Sequence, residues 1–229
     1  MSNENMQWSG RTLGIIPDGN RRWAQMNGKS VTEAYRVASL RTLDAVNYFF
    51  DRGLSTIVVY GASLANVESR PRETFDILID SFTEVYQRDF LDGRCQDVDF
   101  SFLGDLNCLS PIQSRKVVEL TERPVQRSGK SCIFVLNYSL EWDLNEAIDS
   151  LAGEMLDGKM VLGNLPSKRV PQIDCTLRTA GEQRLSNFLM HKQLYSELIW
   201  IDKLWPDVNE SDFDLITAEF VSRKRTFGA

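Results

Sequence analysis

Two short clusters of charged residues carry the chemistry open to this chain. The first is Pro17-Asp18-Gly19-Asn20-Arg21-Arg22-Trp23, directly after an apolar run that ends at Ile16. A carboxylate on such a turn can hold Mg²⁺ through oxygen, while the backbone N–H groups of the turn can face an anion. Arg22 can meet phosphate oxygens in pairs. The same residues also read as a plain strand-to-helix turn in which Asp18 and Asn20 cap the helix. The second cluster is "RTAGEQRLSN", where Arg178 and Arg184 flank a turn of small residues and Ser186 follows. Two guanidiniums and a hydroxyl at a helix start suit a diphosphate; the alternative is surface pairing of these arginines with Glu182. Ser186 and Glu197 are eleven positions apart, so they share a face if one continuous helix joins them.

The elements that must position these clusters alternate between strand and helix. "TLGIIPD" reads as a buried strand, Ser30 to Asp51 as a helix ended by Gly53, and "STIVVYGAS" as a second, β-branched strand. Arg72 to Leu91 has the spacing of a long amphipathic helix. "VDFSFLGD" and "SCIFVLNYS" read as further strands, with helices over Ser110–Arg123 and Asp143–Glu154. "DCTLRTAG" and "LIWIDKLWPD" complete the series. This order predicts a single α/β domain whose mostly parallel sheet is covered by helices, with residues 1–11 as a flexible leader. Gly153 to Pro171, broken by Gly, Pro and Lys, is expected to be a mobile loop. Asp18, Ser63, Asp105, Asn137 and Arg178 all fall at or just after a strand end, where ligands bind in such sheets.

Composition removes several classes of function. The chain has 229 residues, 42% of them hydrophobic, enough for one substantial core. A formal net charge of −6 argues against nucleic acid as the main ligand. No apolar run is long enough to span a membrane. Four cysteines without C-x-x-C spacing, and a polar N-terminus without the signature of a secretory signal, suggest free thiols in a reducing cytoplasm. His191 is the sole histidine, so a His-based zinc site or a Ser-His-Asp triad is not expected, and a core or helix-surface role suits it better.

"PDGNRRWA" resembles the DGNxRWA signature of the cis-prenyltransferases, the undecaprenyl diphosphate synthase family. "LRTAGEQRLSNFLMHKQLYSEL", "LWPD" and "RKRTFG" are similar to that family's C-terminal block, and "VYGASLAN", "LGD" and "LNYSLEWD" lie between in the expected order. The resemblance runs from about Leu13 to Gly228. It implies an α/β fold, a homodimer, and Mg²⁺-dependent condensation of an allylic diphosphate with a five-carbon diphosphate. By position, Asp18 becomes the metal-binding and catalytic carboxylate. Asn20 and Arg22, with Gly19 and Arg21 on the same turn, would bind the allylic diphosphate. Arg178, Arg184 and Ser186 would bind the second diphosphate. Ser63, Asn66 and Glu73 match the middle motif, Asn66 as a catalytic support for the leaving diphosphate. Asp143 matches a carboxylate after the fourth strand. Glu197 matches a second acid near the metal, in its own or the partner's site.

The chain departs from that pattern around the allylic site. An Arg and a His of the family's first helix are replaced by Val31 and Tyr35. The Arg70-Pro71 pair is displaced by one position, and Glu141 stands where the family has Arg. These changes resemble the branch that makes lavandulyl-type and cyclolavandulyl diphosphates by head-to-middle coupling of two dimethylallyl diphosphates. Ordinary head-to-tail elongation, or a catalytically silent partner subunit, are the alternatives. Tyr35, Phe49, Phe50, Phe82 and Tyr86 are candidates for rings that shorten the family's hydrophobic tunnel, simple core packing being the other reading.

Overall fold

A computed structural model of the chain describes residues 8–91, 95–122 and 128–224. Six strands form one sheet: β1 (Thr12–Ile16), β2 (Thr56–Tyr60), β3 (Val98–Leu103), β4 (Lys130–Val135), β5 (Cys175–Arg178) and β6 (Glu197–Trp200). Their spatial order is β3-β4-β2-β1-β5-β6, and every pairing is parallel. The expected mostly parallel sheet is therefore wholly parallel among the described residues.

Parallel strands buried on both faces read as continuous apolar runs, and β1 and β2 are buried at every position. Alternate side chains feed two cores. Leu13, Ile15, Ile57 and Val59 join the larger one, while Ile16, Val58 and Tyr60 join the smaller. Two long helices, α2 (Val31–Asp51) and α4 (Arg72–Leu91), pack along each other over the larger core. Ser30 starts α2 with a reciprocal capping box to Glu33. The short helices α1 (Asn20–Met26) and α3 (Leu64–Ser69) follow β1 and β2 directly. On the same core, α5 (Pro111–Thr121) packs beside α4, and α8 (Glu210–Ser222) packs on α2 and closes the described chain; α6 (Leu140–Ser150) and α7 (Gly158–Asn164) lie between β4 and β5.

Several expectations need correction. The leader is not loose from residue 8 onward: Trp8 is fully buried, donates through Nε1 to Thr217 Oγ1 at 3.1 Å, and stacks on Phe220 with centroids 4.3 Å apart. Residues 1–7 lie outside the described residues, as do Arg123 and the "RTFG" of the last motif. The Gly153–Pro171 segment is built rather than a plain loop. Asp157 caps α7 by accepting from Met160 N at 2.8 Å, a 3-10 turn spans Pro166–Arg169, and Leu165, Ser167 and Val170 are buried. The α6 helix starts earlier than Asp143, because Ser139 accepts from Trp142 N and caps it.

The connection leaving β1 runs to β2 on one side, whereas the one leaving β5 runs to β6 on the other. Neighbouring strands whose connections part in this way open a crevice at their carboxyl ends. Asp18 and Arg178 meet there.

Candidate active site

The crevice is an open cleft of about 1130 Å³. Its floor is set by Gly19, which starts α1 with φ of 100°, a left-handed conformation that favours glycine. A Cβ at this position would come within 2.8 Å of Leu204 Cδ2. The turn fixes Asp18 from several sides. Its N–H donates to Thr179 Oγ1 at 2.8 Å, its carbonyl accepts from Thr179 Oγ1 and from Trp205 N, and its Oδ1 accepts from Gly19 N at 2.7 Å. Arg178 Nη2 donates to Asp18 Oδ2 at 2.9 Å. Arg178 is 4% exposed at its side chain while Asp18 remains 36% exposed, so the carboxylate faces the cleft with a buried cation behind it.

Arg178 is itself held by the second cluster. Its Nη1 donates to Ser186 Oγ at 2.9 Å and to the Arg184 carbonyl. Arg178 Nε and Asn20 Oδ1 are buried without a hydrogen-bond partner, and both residues line the cleft. Ser186 and Asn187 sit at φ of 50° and 67°, and Leu189 at 41°. Such left-handed residues cannot continue a helix. Residues 186–196 are accordingly turns and a short 3-10 segment, and the helix expected between Ser186 and Glu197 does not form.

Within one chain, Glu197 stands apart from Asp18. It opens β6 in register with Cys175 and, through β5, with Leu13, at the amino end of the sheet. Asp18 lies roughly 15 Å farther along the strand direction. Glu197 accepts from Arg223 Nη1 at 3.1 Å instead. It cannot share a metal with Asp18 of the same chain.

The other expected residues gather with Asp18. Gly19, Asn20, Arg21, Arg22, Tyr35, Ser63, Asn66, Arg184 and Ser186 all line the cleft. Ser63 caps α3 by accepting from Asn66 N at 3.1 Å. Val31 and Glu73 are not part of the wall, and Glu73 is exposed on the first turn of α4. Asp143 is fully buried away from it, accepting from Tyr138 Oη, Ser167 N and Ser167 Oγ at 3.0, 3.0 and 2.5 Å. Burial pushes the Tyr35 hydroxyl pKa up, while the charges of Arg70 and Arg21 pull it back and Asp18 adds to the rise.

Behind Tyr35 a small apolar pocket of about 40 Å³ continues between α2, α4 and the sheet. Asn20 and Tyr35 line both spaces. Of the rings expected there, Tyr35 and Phe82 are present, joined by Phe134 and Trp205. Phe49 packs on Trp8 and Phe213, and Tyr86 on Phe100 and Phe134, in the core rather than in this pocket wall.

Sequence reasoning overlooked Tyr60 and the reach of Glu182 to Arg22 as well as to Arg184. Tyr60 ends β2 and donates to the Ser186 carbonyl at 3.1 Å. Its place at a strand end was the available signal. Glu182 pairs with Arg22 at 3.3 Å and with Arg184 at 2.5 Å, across the mouth of the cleft.

A family model described as "Putative undecaprenyl diphosphate synthase" matches residues 16–228. The chain belongs to the undecaprenyl diphosphate synthase family of prenyltransferases. A ditrans,polycis-undecaprenyl-diphosphate synthase ((2E,6E)-farnesyl-diphosphate specific) from Pasteurella multocida is 30% identical, over 94% of this chain and 93% of its own length. An isoprenyl transferase from Chlorobaculum tepidum is 27% identical, over 95% and 85%. Lavandulyl diphosphate synthase from Lavandula x intermedia, solved with dimethylallyl diphosphate, superposes with a TM-score of 0.84 over 97% of this chain and 100% of its own, at 23% identity. At that identity the likeness establishes a shared fold.

Members of this family are generally Mg²⁺-dependent, and Asp18 fits that ion in one way only. Among the described residues no three His, Cys, Asp or Glu side chains form a metal cage. Mg²⁺ is commonly held by one or two carboxylates plus the phosphates of a substrate. A half-open carboxylate facing an arginine-lined cleft meets that requirement. No helix among the described residues is long and apolar enough to cross a membrane.

Proposed function

We propose that this chain joins two five-carbon allylic diphosphates, coupling two dimethylallyl diphosphates head-to-middle into a lavandulyl- or cyclolavandulyl-type product. The observation that carries the reading is the contrast between the two connected spaces. The cleft has room and arginines for two diphosphates, whereas the apolar pocket behind it has room for about three water molecules. A five-carbon tail suits such a pocket and a polyprenyl chain does not.

Arg22 and Asn20, at the start of α1, hold the allylic diphosphate; the Asp18 and Gly19 amides are spent on Thr179 Oγ1 and on Asp18 Oδ1. Arg184 and Ser186 hold the second, and Arg178 keeps Asp18 aimed between them. When bound, Mg²⁺ on Asp18 would neutralise the diphosphate oxygens that gain charge as the C1–O bond breaks. The C1–O electron pair leaves with the diphosphate, and the alkene of the second unit attacks C1. Loss of a proton from the resulting tertiary cation restores a double bond. A departing diphosphate oxygen is the acceptor, since the one histidine lies outside the cleft wall. Fixed dipoles and cations aimed at developing charge are worth several kcal/mol of barrier. Shifting the second tail by about one carbon changes which alkene carbon attacks, so the shape of the pocket around Tyr35 sets the regiochemistry.

The enzyme is further proposed to act in the cytoplasm as a homodimer. Head-to-tail cis elongation is the second reading, favoured by the names of its 27–30% identical relatives. Incubation with dimethylallyl diphosphate and Mg²⁺ alone separates the two. A branched ten-carbon diphosphate is expected; turnover only after isopentenyl diphosphate is added would replace the first reading with the second.

A further inference from the structure

Glu182 holds a position that the coupling reaction itself does not require. It follows Ala180 and Gly181, both left-handed at φ of 70° and 72°, which turn the chain back over the cleft after β5. Its Oε1 meets Arg22 Nη2 at 3.3 Å and its Oε2 meets Arg184 Nη1 at 2.5 Å. The carboxylate is 29% exposed, while the two arginine side chains are 50% and 61% exposed. One acid thus spans a cation from the β1 turn and a cation from the β5 loop, the two walls of the crevice.

Ion pairs this exposed contribute little to folding. Their geometry has a different consequence. Arg22 and Arg184 each offer a forked set of donors that suits carboxylate and phosphate oxygens alike. Both arginines line the cleft, and one nitrogen of each already meets an acid of the same chain. Two guanidiniums that one carboxylate can bridge are also within reach of one diphosphate, which is longer and carries more oxygens.

We propose that Glu182 is an internal stand-in for diphosphate, a clasp that substrate must displace from Arg22 and Arg184. This rests on the reading of the cleft as a diphosphate site. The clasp holds the two arginines oriented in the free protein and raises the concentration of diphosphate needed to fill the site. Because a single carboxylate serves both arginines, a diphosphate arriving at either one repels it from the other. The two subsites are therefore coupled through Glu182.

Titration calorimetry of the full chain with inorganic diphosphate, with and without Mg²⁺, tests the clasp. Glu182→Gln is expected to bind inorganic diphosphate about threefold to tenfold more tightly than wild type, the effect of freeing two exposed arginine pairs. Glu182→Asp, too short to span both arginines, should fall between the two. Glu141→Gln is the control for plain charge removal. Glu141 lines the same cleft but its carboxylate accepts from Asn187 Nδ2 at 2.9 Å. Its change is expected to shift affinity by less than about twofold. Binding by Glu182→Gln where wild type is silent would also support the clasp. Unchanged or weaker binding in Glu182→Gln, or an equal gain in Glu141→Gln, would overturn it. Absence of binding in wild type and all variants would instead remove the diphosphate reading of the cleft, and the clasp with it.

Discussion

Asp18 and Asp143 are two carboxylates near the carboxyl ends of parallel strands, and they have opposite surroundings. Asp18 is 36% exposed, backed by a buried guanidinium, and open to a large cleft. Asp143 is fully buried, and its oxygens are taken by Tyr138, Ser167 N and Ser167 Oγ, with His191 Nε2 at 3.9 Å. A half-open carboxylate with a charged partner has lone pairs to spare for a ligand. One saturated by neutral donors has none, and its free energy goes into fixing the elements that supply them. Here those elements are the end of β4, α6, the 3-10 turn at Pro166–Arg169 and the segment around His191. The two sites share a boundary at Tyr138, which lines the cleft and bonds Asp143.

The largest break in this contrast is expected from Asp18→Asn. The amide keeps the shape and can still accept from Arg178, so the unfolding midpoint should move little. Turnover should fall by about 10³-fold, as for other losses of preorganised electrostatics at a leaving anion. Steady-state rates with Mg²⁺ and a urea melt of the same preparation check both halves. Near wild-type turnover would remove Asp18 from the chemistry.

Asp143→Ala should invert that pattern. Two hydroxyls and a backbone N–H lose their acceptor inside the protein, each a penalty of about 1–3 kcal/mol. A total near 3 kcal/mol is expected in urea unfolding, because the Ser167 hydroxyl can still meet His191 Nε2, 2.9 Å away. Turnover per folded molecule should stay within about tenfold of wild type, a barrier raised by no more than about 1.4 kcal/mol. If turnover falls as far as in Asp18→Asn while the melt is unmoved, Asp143 belongs to the reaction and the comparison fails. Ser167→Ala is the milder version. It removes one donor from Asp143 and should cost about 1–2 kcal/mol in the same melt; a change below about 0.5 kcal/mol would show that Asp143 needs only its other donors.

The cleft was more legible in the sequence than the buried network around Asp143. The apolar strands, the Gly19 turn and the paired arginines are local signals, and each fell where the strand ends put it. The condition of a continuous helix over residues 186–196 fails although "SNFLMHKQLYS" has good helical composition, because Ser186, Asn187 and Leu189 are left-handed and the first two are held by tertiary bonds. Tyr60 donates to the Ser186 carbonyl, and Asn187 Oδ1 accepts from Leu140 N. The loss of that helix moved Glu197 to the far end of the sheet. Trp8 and Ser167 were illegible for a related reason: their partners lie 209 and 24 positions away. No local spacing announces such contacts.

The smallest expected effect concerns His191, which meets Ser167 Oγ at the edge of the network around Asp143. Burial lowers its pKa; the Asp143 charge opposes that shift and Lys192 adds to it. A histidine whose pKa is lower in the folded protein than in the unfolded chain binds fewer protons when folded. Its contribution to stability is therefore present above about pH 6.5 and is lost as pH falls through that value toward the folded pKa. The exposed Glu33 and Glu141, whose pKa values are also lowered, lose theirs only below the ordinary carboxylate value of 4.5. The interval from pH 7 to about 5 thus favours His191. Wild-type stability should decline across it by no more than about 1.4 kcal/mol per pH unit from this one group. His191→Gln keeps an amide that can bond Ser167 and carries no titrating group, so its urea midpoint should be flatter over the same range. Parallel pH profiles for the two proteins would mean that His191 only fills space beside Asp143.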